Sequence, residues 1–290
     1  MSPPDPLTNV PFSEPAWLSG LPSPLYQETH IRFQKACKAW LDEHFTPYTM
    51  DWENEGDLPK DLFAKFNQYN MLLPNLPSPL PVEWLHKLGI RDILGTPVAE
   101  WDYVHTGIWI DEMNRCGLAG PSSGLTAGFA YAIPPIIKYG SKQLQDRFLP
   151  DLLTGKKRTC IAITEPSAGS DVANVETTAE KSKDGKHYII NGTKKWITNA
   201  VWSDYATMAV RTGGKGPGGL SLLVVPLKES GVDMRRLKVT GSKTGGTTFI
   251  ELEDVKVPVE NLVGEEGKGM FYVMNNFVSS VICSEHLHLC

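Results

Sequence analysis

Residues 158–200 read RTCIAITEPSAGSDVANVETTAEKSKDGKHYIINGTKKWITNA, and within this stretch the chain turns from helical to strand-forming. Short β-branched and aromatic runs (CIAIT, VETTAEK, HYII, KKWIT) alternate with Asp184-Gly185 and Asn191-Gly192. Both dipeptides predict hairpins, because type I′ turns need positive φ at their two central positions. DYATMAVR, LSLLVVPL, VDMRRLKV and TTFIELEDV carry the pattern to about residue 265. No strand is followed by a helix-length segment, which argues against parallel βαβ units. The prediction for 158–265 is a small antiparallel β-barrel or sandwich.

Working outward, 26–157 reads as a helical N-terminal domain. Phe33, Cys37, Trp40, Leu41 and Phe45 recur at three- and four-residue spacing on one helix face, and Thr46-Pro47 stops that helix. Leu62, Phe63, Phe66 and Tyr69 predict a shorter helix, and PNLPSPLP (74–81) a loop. Further helices are expected over 100–116, closed by Gly117, and from the N-cap residue Ser141 to Gly155. Seven prolines (3, 4, 6, 11, 15, 22, 24) make 1–25 an extended arm. At the other end KGMFYVMNNF begins a helix, whereas VSSVICSEHLHLC is rich in β-branched residues and does not read as its continuation. The segment 266–290 is therefore expected to be the start of a cut-off helix and an aberrant tail. The fold class is α+β.

At 290 residues two domains are the natural expectation. A net charge of −5 argues against nucleic-acid backbone binding, which needs clustered Lys and Arg. Five cysteines, an odd number without a C-x-x-C pair, fit a reducing compartment. The N-terminus has neither the basic and apolar regions of a secretory signal nor an Arg-rich presequence. No apolar run approaches the ~20 residues that span a bilayer. The expectation is a soluble intracellular protein, cytoplasmic in preference to mitochondrial or peroxisomal.

Several apparent motifs fail on inspection, and there is no internal repeat. TGSKT (240–244) lacks the glycine that precedes the lysine of a phosphate loop. GGKGPGG (213–219) reads as a flexible connection between strands. The tail CSEHLHLC offers Cys and His without a partner knuckle, so no metal site is expected. Ser170-Asp171 lacks the G-x-S-x-G elbow of a hydrolase.

Two segments carry chemistry. Ile161 to Asp171 (IAITEPSAGSD) is a strand running into a loop of small residues and hydroxyls, which lets a flat ligand approach backbone N–H and side-chain O–H donors. Asn191 to Asn199 (NGTKKWITN) reads as a hairpin with Trp196 and Thr198 on one strand face, an aromatic plate beside a hydroxyl. The residues alone leave two readings open, the edge of a flat aromatic ligand or a hairpin with a core tryptophan and a surface threonine.

TEPSAGSDV followed by YIINGTKKWITNA resembles the paired signature of the acyl-CoA dehydrogenase family. PPIIKYGSKQLQDRFLPDLLTGKK and ELEDVKVPVENLVGEEGKGM resemble that family's entry to and exit from its middle domain, so the similarity covers roughly residues 100–277. The resemblance implies a helical N-terminal domain, a β-domain and a helical C-terminal bundle. It also implies FAD as cofactor and an acyl-CoA thioester as substrate, in fatty acid metabolism, with a homo-oligomer in full-length members and an electron acceptor the motifs do not specify. By motif position, Ile161, Ala162, Ile163, Thr164 and Ser170 form the flavin-edge loop. Thr164 bonds the pyrimidine side, Thr198 bonds near N5, Trp196 packs against the isoalloxazine, Ile197 is counted among the cofactor-binding residues, and Ser170 also touches the acyl-CoA. The family's catalytic glutamate lies in the bundle, which is expected to be missing here, so the chain is expected to be truncated and inactive and no catalytic residue is assigned. Glu165, Asp171, Glu265 and Glu266 have no precedent as the base. Alternatives are an oxidase of the same fold, acting on acyl-CoA or nitroalkanes, and a non-catalytic binding module.

Overall fold

The computed structural model describes residues 17, 18 and 20–285, with side chains as far as Phe277. The proline-rich arm before Trp17 and the cysteine and histidine side chains of 283–290 fall outside these residues. The helical half comprises α1 (Glu28–His44), α2 (Thr49–Glu55), α3 (Leu62–Gln68), α4 (Val82–Lys87), α5 (Tyr103–Asn114), α6 (Ala119–Ala127), α7 (Ile133–Tyr139) and α8 (Lys142–Leu153). A two-strand ribbon, β1 (Asp92–Ile93) with β2 (Thr96–Pro97), lies between α4 and α5.

The spacing that predicts α1 also explains its seat, since Phe33, Cys37, Trp40 and Leu41 are all buried in one core. Each such side chain contributes about 1.5–3 kcal/mol of burial. The loop predicted over 74–81 is interrupted only by a single 3-10 turn, Leu73–Asn75. Asp102 opens α5 by accepting from the Val104 and His105 amides, and Ser141 opens α8 by accepting from the Leu144 amide. Helices α2, α4, α6 and α7 are absent from the sequence reading. The sequence of α6, AGPSSGLTA, has poor helix propensity. It forms because Gly120 and Gly124 present a face without side chains to residues 242–244, where a Cβ at either position would collide with Thr244. A π-helical turn, Gly128–Ala132, then carries the chain directly into α7.

The second half holds β3 (Thr159–Ala162), β4 (Thr178–Lys181), β5 (His187–Ile197), β6 (Tyr205–Arg211), β7 (Leu220–Pro226), β8 (Val232–Arg236), β9 (Thr248–Pro258) and β10 (Leu262–Val263). The strand order β10-β7-β6-β4-β5-β9-β8 does not close on itself, so the domain is sandwich-like and not a barrel. Most pairs are antiparallel, as expected. Two are not: β3 and β4 both run parallel to β6, without any crossover helix between them. The sheet is therefore mixed. GGKGPGG does connect two paired strands, β6 and β7, and Asp184-Gly185 does turn between β4 and β5.

Asn191-Gly192 does not form a hairpin. It lies inside β5, an 11-residue strand paired along its length with β9. The register passes from Ile190↔Val255 to Gly192↔Leu252, so β9 holds an extra residue there, with Asp254 at φ 51°. Asn191 binds that bulge twice, Nδ2 donating to Asp254 Oδ1 and Oδ1 accepting from the Asp254 amide. Gly192, at φ 146°, is required because a Cβ would lie 2.7 Å from Thr177 Cα. Turn-forming residues serve a bulge equally well, since both need unusual φ and close backbone approach.

The tail also differs from expectation. After Gly264 the chain enters α9 (Gly269–Glu285), which continues through the β-branched segment. Tyr272 and Val273 anchor its first turns in the helical core, and Asn276 Nδ2 donates to the Tyr131 carbonyl. β-branched residues cost only a few tenths of a kcal/mol each once a helix is nucleated.

Candidate functional site

The parallel pairing of β3 with β6 delivers residues 163–170 to the end of β5. There the two sequence segments are joined at three points. The Lys195 amide donates to the Thr164 carbonyl at 2.9 Å. The Lys194 ammonium donates to the Ile163 carbonyl at 3.1 Å and to Glu165 Oε1 at 2.7 Å. A third bond from Lys194, 2.7 Å to the Ala209 carbonyl, ties both to β6.

Lys194 and Glu165 are a buried ion pair, with side chains 0% and 3% exposed. Burial pushes the Lys194 ammonium down to about 8 against the pull of the Glu165 carboxylate. Burial pushes Glu165 up, but the Lys194 charge and hydrogen bonds from Lys194, Thr177 and the Glu176 amide outweigh it and hold it below the usual carboxylate range. Its oxygens accept from the Glu176 amide, the Thr177 amide and the Thr177 hydroxyl as well as from Lys194. A carboxylate so engaged anchors a loop and is not available as a general base. Two other carboxylates weighed from the sequence are also engaged, Asp171 with Asn174 and Glu266 with Tyr188 and Lys181.

Of the eight residues expected to face a ligand, Ala162, Ile163 and Ile197 are buried, so only their backbone is available. Ile161 is partly buried against the helical core, Thr164 and Thr198 are half-buried, and Ser170 is exposed. The hydroxyls of Thr164, Ser170 and Thr198 make no hydrogen bond to another described residue. Trp196 is 53% exposed and stands at φ 65°. Register shifts from Lys194↔Ile250 to Ile197↔Thr248, so β5 carries an extra residue here and Trp196 sits on that bulge. The regular alternation that would put Trp196 and Thr198 on one strand face is therefore broken. The bulge turns the indole outward, where the Lys195 ammonium lies 4.7 Å from its ring.

Sequence reasoning missed the residues that support this edge. Lys194 shares the inward parity of Tyr188 and Ile190 on β5, and a charged residue at an inward position was the available signal. Glu53, on the unpredicted α2, had none. It is 8% exposed and accepts from the Lys243 and Thr244 amides and the Thr244 hydroxyl, tying the helical half to the 242–246 loop. A third cluster, His30, Asp102 and His105, brings potential ligand atoms within 4.8 Å of one another. His30 Nδ1 accepts the Gln27 amide, which leaves its proton on Nε2 aimed at Asp102, so this cluster closes the N-termini of α1 and α5.

Two clefts open on the helical half. One of about 400 Å³ lies between the 76–81 loop, α7 and Asn275 and Asn276 of α9. The other, about 250 Å³, lies between α5, α6 and the π-helical turn, lined by Ile110, Met113, Thr126 and Tyr131 among others. None of the eight residues lines either cleft. No helix among the described residues is long and apolar enough to cross a membrane.

Comparison with known proteins gives a consistent picture. Residues 27–156 match the acyl-CoA dehydrogenase N-terminal domain profile, and 160–255 match the acyl-CoA dehydrogenase middle domain profile. The acyl-CoA dehydrogenase apdG of Emericella nidulans is 68% identical over 272 residues, covering 93% of this chain and 62% of that protein. A crystal structure of an acyl-CoA dehydrogenase from Geobacillus kaustophilus superposes with a TM-score of 0.76 at 30% identity, covering 92% of this chain and 68% of that one. An acyl-CoA dehydrogenase from Bacillus anthracis, complexed with FAD, superposes at 0.71 with 25% identity over 89% of this chain and 41% of that one. The chain thus spans about 62% of the length of the first curated relatives it matches. By fold, by motif and by both domain matches, this chain belongs to the acyl-CoA dehydrogenase family.

Proposed function

We propose that this chain carries the flavin-binding edge of an FAD-dependent enzyme that oxidises an acyl-CoA thioester between its α- and β-carbons. What supports the reading is the joining of 163–165 to 194–195, which brings the two segments together while the hydroxyls of Thr164 and Thr198 make no hydrogen bond to another described residue and the Trp196 indole stays exposed. A flat ring with hydrogen-bond acceptors along one edge fits two free hydroxyls and an exposed indole. FAD, when bound, supplies the hydride-accepting chemistry. Thr164 and Thr198 then donate to the ring edge, Trp196 packs on its face, and Ile161 to Ile163 and Ile197 contribute backbone contacts. Ser170, which is exposed, touches the thioester ligand as well. Lys194 and Glu165 hold the loop and take no part in proton transfer, so the base that removes the α-proton is a residue other than Glu165.

The test is visible flavin absorbance of the purified chain before and after FAD is added, followed by desalting. Wild-type protein should retain flavin. Trp196→Ala with Thr198→Ala should release it, and equal flavin content in the two proteins would reject the assignment.

A further inference from the structure

We propose that Glu53, on a helix of the other half of the molecule, is a positioning residue for the Trp196–Thr198 edge; the flavin part of this inference rests on the function proposed above. Glu53 is the last but two residue of α2, and its carboxylate accepts three hydrogen bonds from two consecutive residues of the 242–246 loop, the Lys243 amide at 2.6 Å, the Thr244 amide at 3.1 Å and the Thr244 hydroxyl. Burial pushes this carboxyl up, but the Thr244 and Lys243 hydrogen bonds and the Lys243 charge hold it below its usual range, so it is ionised at neutral pH.

The loop it grips is also seated on the bare face of α6. A Cβ on Gly120 would collide with both Thr244 and Glu53, and one on Gly124 would lie 2.5 Å from the Thr244 carbonyl oxygen. The next residue, Gly245, accepts the Asn199 amide at 2.9 Å. Asn199 directly follows Thr198 and stands in the left-handed region at φ 57°, a conformation held from outside. Three residues after Gly245, Thr248 pairs with Ile197 across β9 and β5. The path from Glu53 to Asn199 is therefore two hydrogen-bonded links, charge-assisted at Glu53–Thr244 and backbone at Gly245–Asn199, joined by the Thr244–Gly245 peptide bond and ending at the candidate flavin edge. Both partners of its first link are buried, where a lost acceptor is not replaced by water.

The experiment uses the purified 290-residue chain with Glu53→Gln and Glu53→Ala. Glutamine keeps the volume of the side chain but turns an amide donor toward donors, so it guards against loss of fold in the alanine variant. Amide hydrogen exchange is read by mass spectrometry over peptides covering 194–202, against peptides of β6 and β7 as internal reference. FAD retention is read in parallel. Glu53→Gln should speed exchange over 196–200 about tenfold, the order set by loss of one charge-assisted hydrogen bond, and weaken FAD retention by a similar factor while β6 and β7 stay protected.

Exchange over 196–200 equal to wild type, or accelerated equally throughout the chain in both variants, overturns the proposal. Faster exchange with unchanged FAD retention, where the Trp196 and Thr198 double variant does release flavin, overturns Glu53's part in flavin binding and leaves the flavin reading intact. A wild-type chain that retains no FAD defeats the flavin reading, and the exchange comparison still decides whether Glu53 holds the segment.

Discussion

The Lys194 ammonium sits 2.7 Å from the Glu165 carboxylate, and the pair is closed off from solvent between β5, β6 and the loop that leaves β3. Neither charge has water to fall back on. The attraction between them is offset by the desolvation of both, so the pair adds little net stability, yet removing one partner strands the other. The value of the arrangement is positional, because the same ammonium also fixes the carbonyls of Ile163 and Ala209.

Lys194→Met or Glu165→Gln alone should therefore cost about 3–5 kcal/mol, whereas the double variant should cost clearly less than the sum. Urea unfolding followed by far-ultraviolet circular dichroism measures all four proteins. Strict additivity would show that the two side chains act independently and that the pair is not the unit of loop anchoring.

Acid should loosen the molecule in a defined window. Glu53 and Glu165 have folded pKa values below their ordinary value of 4.5. The unfolded chain thus takes up their protons first. Their contribution is complete above pH 4.5 and is lost as pH falls through that value toward the folded pKa. Glu112 acts in the opposite sense, since burial raises its carboxyl despite hydrogen bonding from Gln34. Its cost near neutrality is relieved as pH falls. In Glu53→Gln the fall in urea midpoint between pH 5.5 and 3.5 should be shallower than in wild type, these pH values being chosen to span roughly one unit either side of the reference carboxylate range. Parallel curves would mean that Glu53 has no shifted titration.

How much of this could be read in the sequence depends on what each residue answers to. Helix α1 was legible because Phe33, Cys37, Trp40 and Leu41 encode their own burial through spacing. The two segments 161–171 and 191–199 were legible as a pair of motifs, and their meeting in space follows from one parallel strand pairing that no local pattern signals. Helix α6 was illegible because its stability comes from the loop packed on Gly120 and Gly124 and from no property of AGPSSGLTA itself. Asn191-Gly192 misled for a related reason. The same two residues that favour a turn were needed for a bulge against Thr177 and Asp254, and only the partner strand decides between them.

That bulge makes Gly192 hard to replace. At φ 146° an L-residue is strained, and a Cβ would meet Thr177 Cα, Oγ1 and Cβ at 2.7–2.9 Å. Gly192→Ala should lose about 1–3 kcal/mol or more, opposite in sign to the usual gain from Gly→Ala at a compatible site. Gly185→Ala gives the contrast, as it is strained at φ 68° but has open space around it. A thermal shift smaller for Gly192→Ala than for Gly185→Ala would contradict the close approach to Thr177.

Trp196 offers a test that separates backbone strain from ligand binding. It is a bulky residue at φ 65°, where an L-residue is disfavoured by roughly 1–2 kcal/mol, and its indole is 53% exposed. Replacing it by alanine or by glycine removes the same ring, so burial and stacking losses nearly cancel between the two variants. What remains is the left-handed backbone, which glycine adopts freely and alanine does not. In an ordinary strand glycine is the less stable of the two by about 0.5–1 kcal/mol. Here the order should reverse, with Trp196→Gly more stable than Trp196→Ala by about 1 kcal/mol in urea unfolding. Flavin retention should fall to the same extent in both, because the ring is missing from both. If alanine proves the more stable, the bulge conformation at residue 196 is wrong. If glycine alone releases flavin, the backbone at 196 carries the binding and the indole does not.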